Sequence, residues 1–353
     1  MRARLQKFLS RLKQENLDGF IISSPANISY LSEFNSCDAY LLVSKKETVY
    51  FTDSRYIEDV KPRLKGLASL KKINGSVFEI IADTCRDLSL KRVGFEERQM
   101  PYAEYKKIKQ YLGSGAYLIP TYNLLEGLRQ VKAAREIEKI RAALKITGLA
   151  LQFIKTFIKP GIKELEIAAE LERFIRYQGA IGAAFDIIVA SGPNSVYPHH
   201  RPGPKKIKQG EAVLIDIGVD YFGYKSDLTR AFFLDKINSL TRRIYEIVLK
   251  AQAKAIAKIR PGKPIAEIDA LARNYIAAKG YAKFFSHSLG HGIGLETHEA
   301  PSISPKSDGI LVPGMVFTVE PAIYLPGRFG IRIEDMVLVT RKGCEVLSGF
   351  IHK

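Results

Sequence analysis

Two carboxylates, Asp216 and Asp227, stand on either side of a turn in the stretch EAVLIDIGVDYFGYKSDLTRA, residues 211–231. The apolar run 212–219 carries the first, and the return run 223–234 carries the second. Asp220, Tyr221, Phe222 and Gly223 lie between them with turn chemistry. A hairpin folded symmetrically about that turn sets Asp216 opposite Asp227, with Cβ atoms about 4.5–5.5 Å apart. Acids that close on an apolar hairpin repel each other and are poorly solvated. A bound cation relieves both problems; a plain surface hairpin with two solvated acids is the alternative.

A second pair repeats the pattern. The strand-like run 315–320 (MVFTVE) ends in Glu320, Pro321 and the Pro326-Gly327 turn follow, and 330–340 (GIRIEDMVLVT) returns with Glu334. Pairing about Gly327 sets Glu320 against Glu334. Between the two hairpins lies SHSLGHGIGLETHEAP, residues 286–301, which holds His287, His291 and His298, three of the chain's six histidines. Glycines on both sides of His291 let backbone approach closely there. Four neighbouring buried carboxylates cannot all ionise alone, but two divalent cations balance their charge and a neutral His291 adds a fifth ligand. Mostly oxygen donors with one nitrogen suit Mn or Co first, and also Zn or Fe.

The elements that must position these groups follow from periodicity. Up to residue 121 the pattern alternates short strands (17–23, 39–43, 48–51, 92–95) with helical spacing (54–64, 102–112), an α/β layer without a single histidine. Residues 122–136 form a connector and the start of a helix. From there to 353, helix pairs alternate with acidic hairpins: helices near 133–159 and 164–178 before the first, and near 240–259 and 265–279 before the second. This repetition hints at internal duplication.

Composition narrows the class. A chain of 353 residues, 46% hydrophobic and 26% charged, predicts a globular protein of two domains. No apolar run approaches the roughly 20 residues of a membrane span. The basic start MRARLQKFLSRLKQ places Leu5, Phe8, Leu9 and Leu12 at helical spacing, which favours a first helix over a targeting peptide. Cys37, Cys85 and Cys344 are scattered and odd in number, which suits a reducing, cytoplasmic setting. The net charge of +17 has no basic tail behind it. Lys and Arg outnumber Asp and Glu by 20 to 14 up to residue 121 and by 34 to 23 beyond, which reads as a solvated basic surface.

The motifs SDLTR (226–230), GHGIGLETHEAP (290–301), VEPAIY (319–324) and IRIED (331–335), with the order Asp216, Asp227, His291, Glu320, Glu334, resemble the dinuclear metallopeptidases of the pita-bread fold. They are closest to the Xaa-Pro branch, aminopeptidase P and prolidase. The resemblance implies a metal-free creatinase-like N-terminal domain over 1–121 and a pita-bread catalytic domain of pseudo-twofold design over 137–353. It also implies roles. Asp216 chelates one ion, Asp227 and Glu334 bridge both, and His291 and Glu320 hold the other. Glu320 takes a proton from the attacking water, and His298 steadies the tetrahedral intermediate. His199 contacts substrate, His287 is a further active-site histidine, Arg332 orders the site, and His200 is a bystander. Phe185 and Tyr324 are candidates for the wall of a proline pocket.

The expected reaction is hydrolysis of the bond before a proline in second position, by a cytoplasmic homodimer. Many dipeptidases of this branch carry Arg directly after the Pro of the HE-x-P motif, where this chain has Ser302. That tilts the expectation to an aminopeptidase, with prolidase as the alternative and Arg332 or Arg328 as substitute cations. Methionine aminopeptidases share the ligands but normally lack the N-terminal domain. Nucleic-acid or histone binding is disfavoured, because the members that serve that way have lost ligands that are intact here.

Overall fold

The computed structural model describes residues 2–35 and 38–353, so Cys37 lies outside the described residues. Its contacts divide the chain after Arg129. The unit up to Arg129 is built on one six-stranded sheet. Its spatial order is Ser69–Lys72, Thr48–Thr52, Ala39–Ser44, Gly19–Ile22, Arg92–Glu96 and Tyr117–Thr121. The inner strands are buried on both faces, as their unbroken apolar runs require. Helices Val77–Asp87 and Tyr102–Leu112 bury Ile81, Ala82, Cys85, Ile108 and Leu112 against Ile21, Leu42 and Val93. Periodicity leaves several elements of this unit unread, the helix Val77–Asp87 and the strand Tyr117–Thr121 among them. The strand Ser69–Lys72 is a half-exposed edge of sequence SLKK, with no apolar alternation to betray it. The helix Pro25–Ser32 is short, although Ser24 caps it by accepting from Asn27 N.

The unit from residue 130 repeats one theme. Helices Ala134–Phe157 and Glu164–Tyr177 pack together and cover a hairpin whose strands include Ala212–Ile217 and Leu228–Phe233. Helices Ser239–Ile256 and Ile265–Ala278 pack together and cover strands Val316–Val319 and Asp335–Val339. Strict alternation sorts each hairpin. Val213, Ile215 and Ile217 face the core shared with Ile154, Ile167, Leu171 and Ile175. Phe317, Val319, Val337 and Val339 face the core shared with Ile244, Val248, Ile268 and Ile276. Asp216 and Thr318 between them, and Glu334 next to the core residue Ile333 just before the last strand, must point away from the helices. This mixed α/β architecture agrees with the expected fold class. Among the described residues no helix is long and apolar enough to cross a membrane.

Candidate metal centre

The first hairpin turns one residue later than the sequence suggests. Phe222 and Gly223 form a two-residue turn with φ of 50° and 81°, the pattern of a type I′ hairpin turn. Asp216 therefore lies opposite Thr229, not opposite Asp227. Moving the turn centre by one residue shifts the register by two, and a shift of two keeps every side chain on its face. Asp216 and Asp227 are thus diagonal neighbours on the inner face. The second hairpin agrees with expectation. Its pairs run from Val316↔Leu338 to Val319↔Asp335 and resume at Ala322↔Arg332. One register spans the interruption at Pro321, and it sets Glu320 against Glu334. Glu334 N donates to Thr229 O at 3.3 Å, which ties one hairpin to the other.

His291 enters between them on the short strand Gly290–Gly292. A Cβ on Gly290 would stand 1.8 Å from Thr318 O, and one on Gly292 would stand 2.2 Å from Ala300 O, so no other residue fits at either position. The His291 amide donates to Thr318 Oγ1 at 3.1 Å. Its Nδ1 faces Gly292 O at 3.1 Å, so Nδ1 carries the proton and the Nε2 lone pair is bare. Nε2 lies 3.5 Å from Asp227 Oδ2 and 3.3 Å from Glu320 Oε1. One ligand atom each from Asp227, His291 and Glu334 fall within 4.8 Å of one another.

The electrostatics of this cluster are those of a site built for cations. Burial, then Glu334, Asp216 and Glu320, push the Asp227 carboxyl well above its ordinary range. Burial, then Glu320 and Asp216, do the same to Glu334. Burial lifts Glu320 to about 8, although Arg332 opposes it. Burial, then His298, pushes His291 down to about 4, so the ring is neutral and free to ligate. Asp216 Oδ1 is buried with no hydrogen-bond partner. Four carboxylates, one bare imidazole nitrogen and an orphaned buried oxygen fit divalent metal.

Arg332 braces the cluster from behind. It is buried, and it donates to Asp216 Oδ2 at 2.6 Å, Thr229 Oγ1 at 3.0 Å and Tyr324 Oη at 2.7 Å. Thr229 Oγ1 in turn donates to Glu334 Oε2 at 2.8 Å. His287 Nδ1 faces Ser288 O at 2.7 Å, so its Nε2 accepts from Tyr324 Oη at 3.2 Å. His298 packs edge-on against His291 with ring centroids 4.3 Å apart. One cleft of about 540 Å³ is lined by the five ligand candidates together with Phe185, His199, His287, His298, Tyr324 and Arg332.

Three sequence expectations change at the cleft. Arg332 is committed to Asp216, Thr229 and Tyr324, and Arg328 is exposed beside the Gly327 turn outside the cleft lining; neither is a spare cation. Arg201 lines the cleft instead. His200 is no bystander, because its Nε2 lies 2.9 Å from Glu164 Oε2. Thr229 and Thr318 were not singled out, yet each sits two residues from an acid, at 227 and 320, on the same strand face. That i, i+2 relation was the available signal.

Comparison with known proteins agrees with this geometry. Residues 138–341 match the model of metallopeptidase family M24, and residues 4–131 match the creatinase/prolidase N-terminal domain. The Xaa-Pro dipeptidase of Pyrococcus furiosus is 35% identical over 355 residues, 99% of this chain and 98% of that one. The solved structure of an Xaa-Pro dipeptidase from Bacillus anthracis superposes with a TM-score of 0.95 at 38% identity, covering 99% of this chain and 97% of its own. An X-Pro aminopeptidase structure from Thermotoga maritima reaches a TM-score of 0.90 at 36% identity, covering 98% and 97%.

Proposed function

Because the chain belongs to metallopeptidase family M24, we propose that it is a metal-dependent Xaa-Pro dipeptidase. It cleaves the single peptide bond of a dipeptide whose second residue is proline. The observation that carries this over the aminopeptidase reading is the full-length likeness to proteins named Xaa-Pro dipeptidase at 35% and 38% identity. The likeness to the Thermotoga X-Pro aminopeptidase keeps aminopeptidase as the alternative. Ser302 loses its force as an argument for that alternative, because Arg201 supplies a cation at the cleft from another segment. A dipeptide carries a free carboxylate beyond its proline, and a guanidinium is its natural partner.

Asp216, Asp227, His291, Glu320 and Glu334 would hold two divalent ions, Mn or Co in the first place and Zn or Fe otherwise. When bound, the ions polarise the scissile carbonyl and lower the pKa of the water that attacks it. Glu320 accepts the proton that this water loses. His298 donates to the oxyanion that develops on the carbonyl oxygen, and His199 contacts the substrate beside it. Water oxygen joins the carbonyl carbon, the C–N bond breaks, and the proline nitrogen takes the proton. The bond before proline has no N–H to recognise, so shape must serve; Phe185 and Tyr324 form the wall against the ring. The chain of donors from Arg332 through Tyr324 to His287 keeps that wall in place. The active assembly is a homodimer, which sedimentation equilibrium checks.

Metal-loaded protein is assayed on Xaa-Pro dipeptides and on Xaa-Pro-Yaa tripeptides. The dipeptide is expected to have the higher kcat/KM by at least about tenfold, the scale of one charged hydrogen bond. Preference for the tripeptide moves the assignment to aminopeptidase. No cleavage of either with Mn, Co, Zn or Fe overturns the peptidase reading.

A further inference from the structure

One buried acid outside the metal cluster organises a wall of the cleft. Glu164 opens the helix Glu164–Tyr177 and is fully buried. Its Oε1 accepts from Ser191 N and Ser191 Oγ, both at 2.7 Å. Asn194 Nδ2 donates to its two oxygens at 3.1 and 3.0 Å, and His200 Nε2 completes the set at 2.9 Å from Oε2. Stripping a carboxylate of water costs several kcal/mol, roughly, and only a full set of donors offsets it. All of those donors come from one segment, 27 to 36 residues away in sequence.

The same helical turn holds the far end of that segment. The first amides of a helix have no partner inside it. Here Glu164 N donates to Lys205 O and Leu165 N donates to Gly203 O, both at 3.1 Å. Residues 191–205 are therefore bracketed by the start of one helix, by side chain at the near end and by backbone at the far end. Pro198, His199, His200 and Arg201 of that segment line the cleft. The His200 ring is tied down between His199 and Arg201, so fixing it fixes the backbone that presents both of them.

We propose that Glu164 is a positioning residue for substrate: through Ser191, Asn194 and His200 it sets the wall that carries His199 and Arg201. It governs substrate affinity and leaves metal binding and the chemical step alone. The proposal rests on the peptidase reading for its kinetic arm only.

The test pairs kinetics with hydrogen exchange on the full-length, metal-loaded protein. Glu164→Gln keeps the size of the side chain but turns an NH2 group toward donors. It is expected to raise KM for Xaa-Pro dipeptides about tenfold, with kcat within about twofold. Bound Mn per chain stays at the wild-type value, and amide exchange quickens most across 191–206. His200→Ala, which removes one contact at the other end, shifts KM in the same direction by less. A fall in kcat and Mn content with KM unchanged overturns the proposal, as does unaltered exchange over 191–206. Exchange that quickens to the same extent throughout the unit overturns it as well, since that marks a general fold defect. If wild-type protein cleaves neither peptide, the peptidase reading fails, and the exchange arm still decides whether Glu164 holds the wall.

Discussion

Glu164 and Asp227 are carboxylates sunk in the same unit, and their surroundings are opposite. Burial pushes the Glu164 carboxyl up, but Ser191, His200 and Asn194 all donate to it, and the balance leaves it below the ordinary range. Burial also pushes Asp227 up, and Glu334, Asp216 and Glu320 then push it further. Donors surround the first acid; other acids surround the second. A carboxylate satisfied by the chain's own donors holds structure together. A carboxylate that meets its own kind is a debt the fold carries until a cation arrives. The contrast separates the two sites without reference to motif.

The sharpest way to break this comparison is to neutralise one acid of each kind. Asp227→Asn removes a charge from the ligand cluster and replaces one carboxylate oxygen with an amide nitrogen, a poor metal ligand. Activity is expected to fall by at least about a thousandfold, and bound Mn per chain to drop. The metal-free variant is nonetheless expected to melt at or above the wild-type temperature, because its repulsion is relieved. Glu164→Gln does the reverse: the melting temperature falls while Mn content holds, since buried donors lose their acceptor. Steady-state kinetics, metal analysis and calorimetry read the two together. Near wild-type turnover in Asp227→Asn contradicts the ligand assignment. A lower melting temperature in its metal-free form contradicts the electrostatic account.

A smaller effect tests the sign of the charge balance through pH. Burial raises Glu320 from its ordinary 4.5 to about 8 in the metal-free protein. Between those values the folded state holds a proton that the unfolded state has released. The stability this group allows is therefore intact below about 4.5 and is lost as pH rises through about 8. Glu320→Gln keeps a neutral group at every pH. Metal-free wild type is expected to lose melting temperature relative to this variant by a few degrees between pH 5 and pH 9. The depressed imidazoles His287 and His291 act in the other direction below pH 6.5, and both proteins share them. Saturating Mn reverses the order at high pH, because the wild type binds it more tightly. A constant gap across pH, measured by scanning calorimetry, sinks the idea that Glu320 is held protonated without metal.

How much of this was legible follows from the range of the interactions. The second hairpin could be read because Pro326-Gly327 announces its turn and the strands alternate on both sides. The first was misplaced by one residue because Phe222 takes a positive φ of 50°, where Gly, Asn or Asp is the usual choice. The error spared the site, since a two-residue shift conserves the face. The acids could be singled out because the alternating pattern around each turn exposes them, and His291 because glycines flank it. The Glu164 bracket could not be found that way, because its donors are defined only once residues 191–200 fold back on the helix. Arg201 escaped notice as a cleft-lining residue for the same reason, and Ser302 was weighed without it. Local pattern reveals which residues share a face; contacts across tens of residues decide which cation stands beside which carboxylate.

The smallest expected effect marks where the comparison stops mattering. Glu345 is a third kind of acid, paired with Arg141 by two parallel hydrogen bonds of 2.7 and 2.6 Å at the surface. The hydrogen bonds from Arg141 hold its carboxyl below the ordinary range, in the same direction as Glu164. Yet both side chains are more than 40% exposed, so water replaces whatever the partner gave. Exposed pairs of this kind contribute about 0–1 kcal/mol, and salt screens them further. Glu345→Ala is therefore expected to shift the urea midpoint by an amount near the error of measurement, and to shift it still less in 1 M salt. Activity and Mn content stay at wild type. A loss as large as that of Glu164→Gln would mean that donor count alone sets the value of an acid. The small loss expected here means that donors matter in proportion to the water they replace, which is why the buried acids, and not the surface ones, carry the architecture of the cleft.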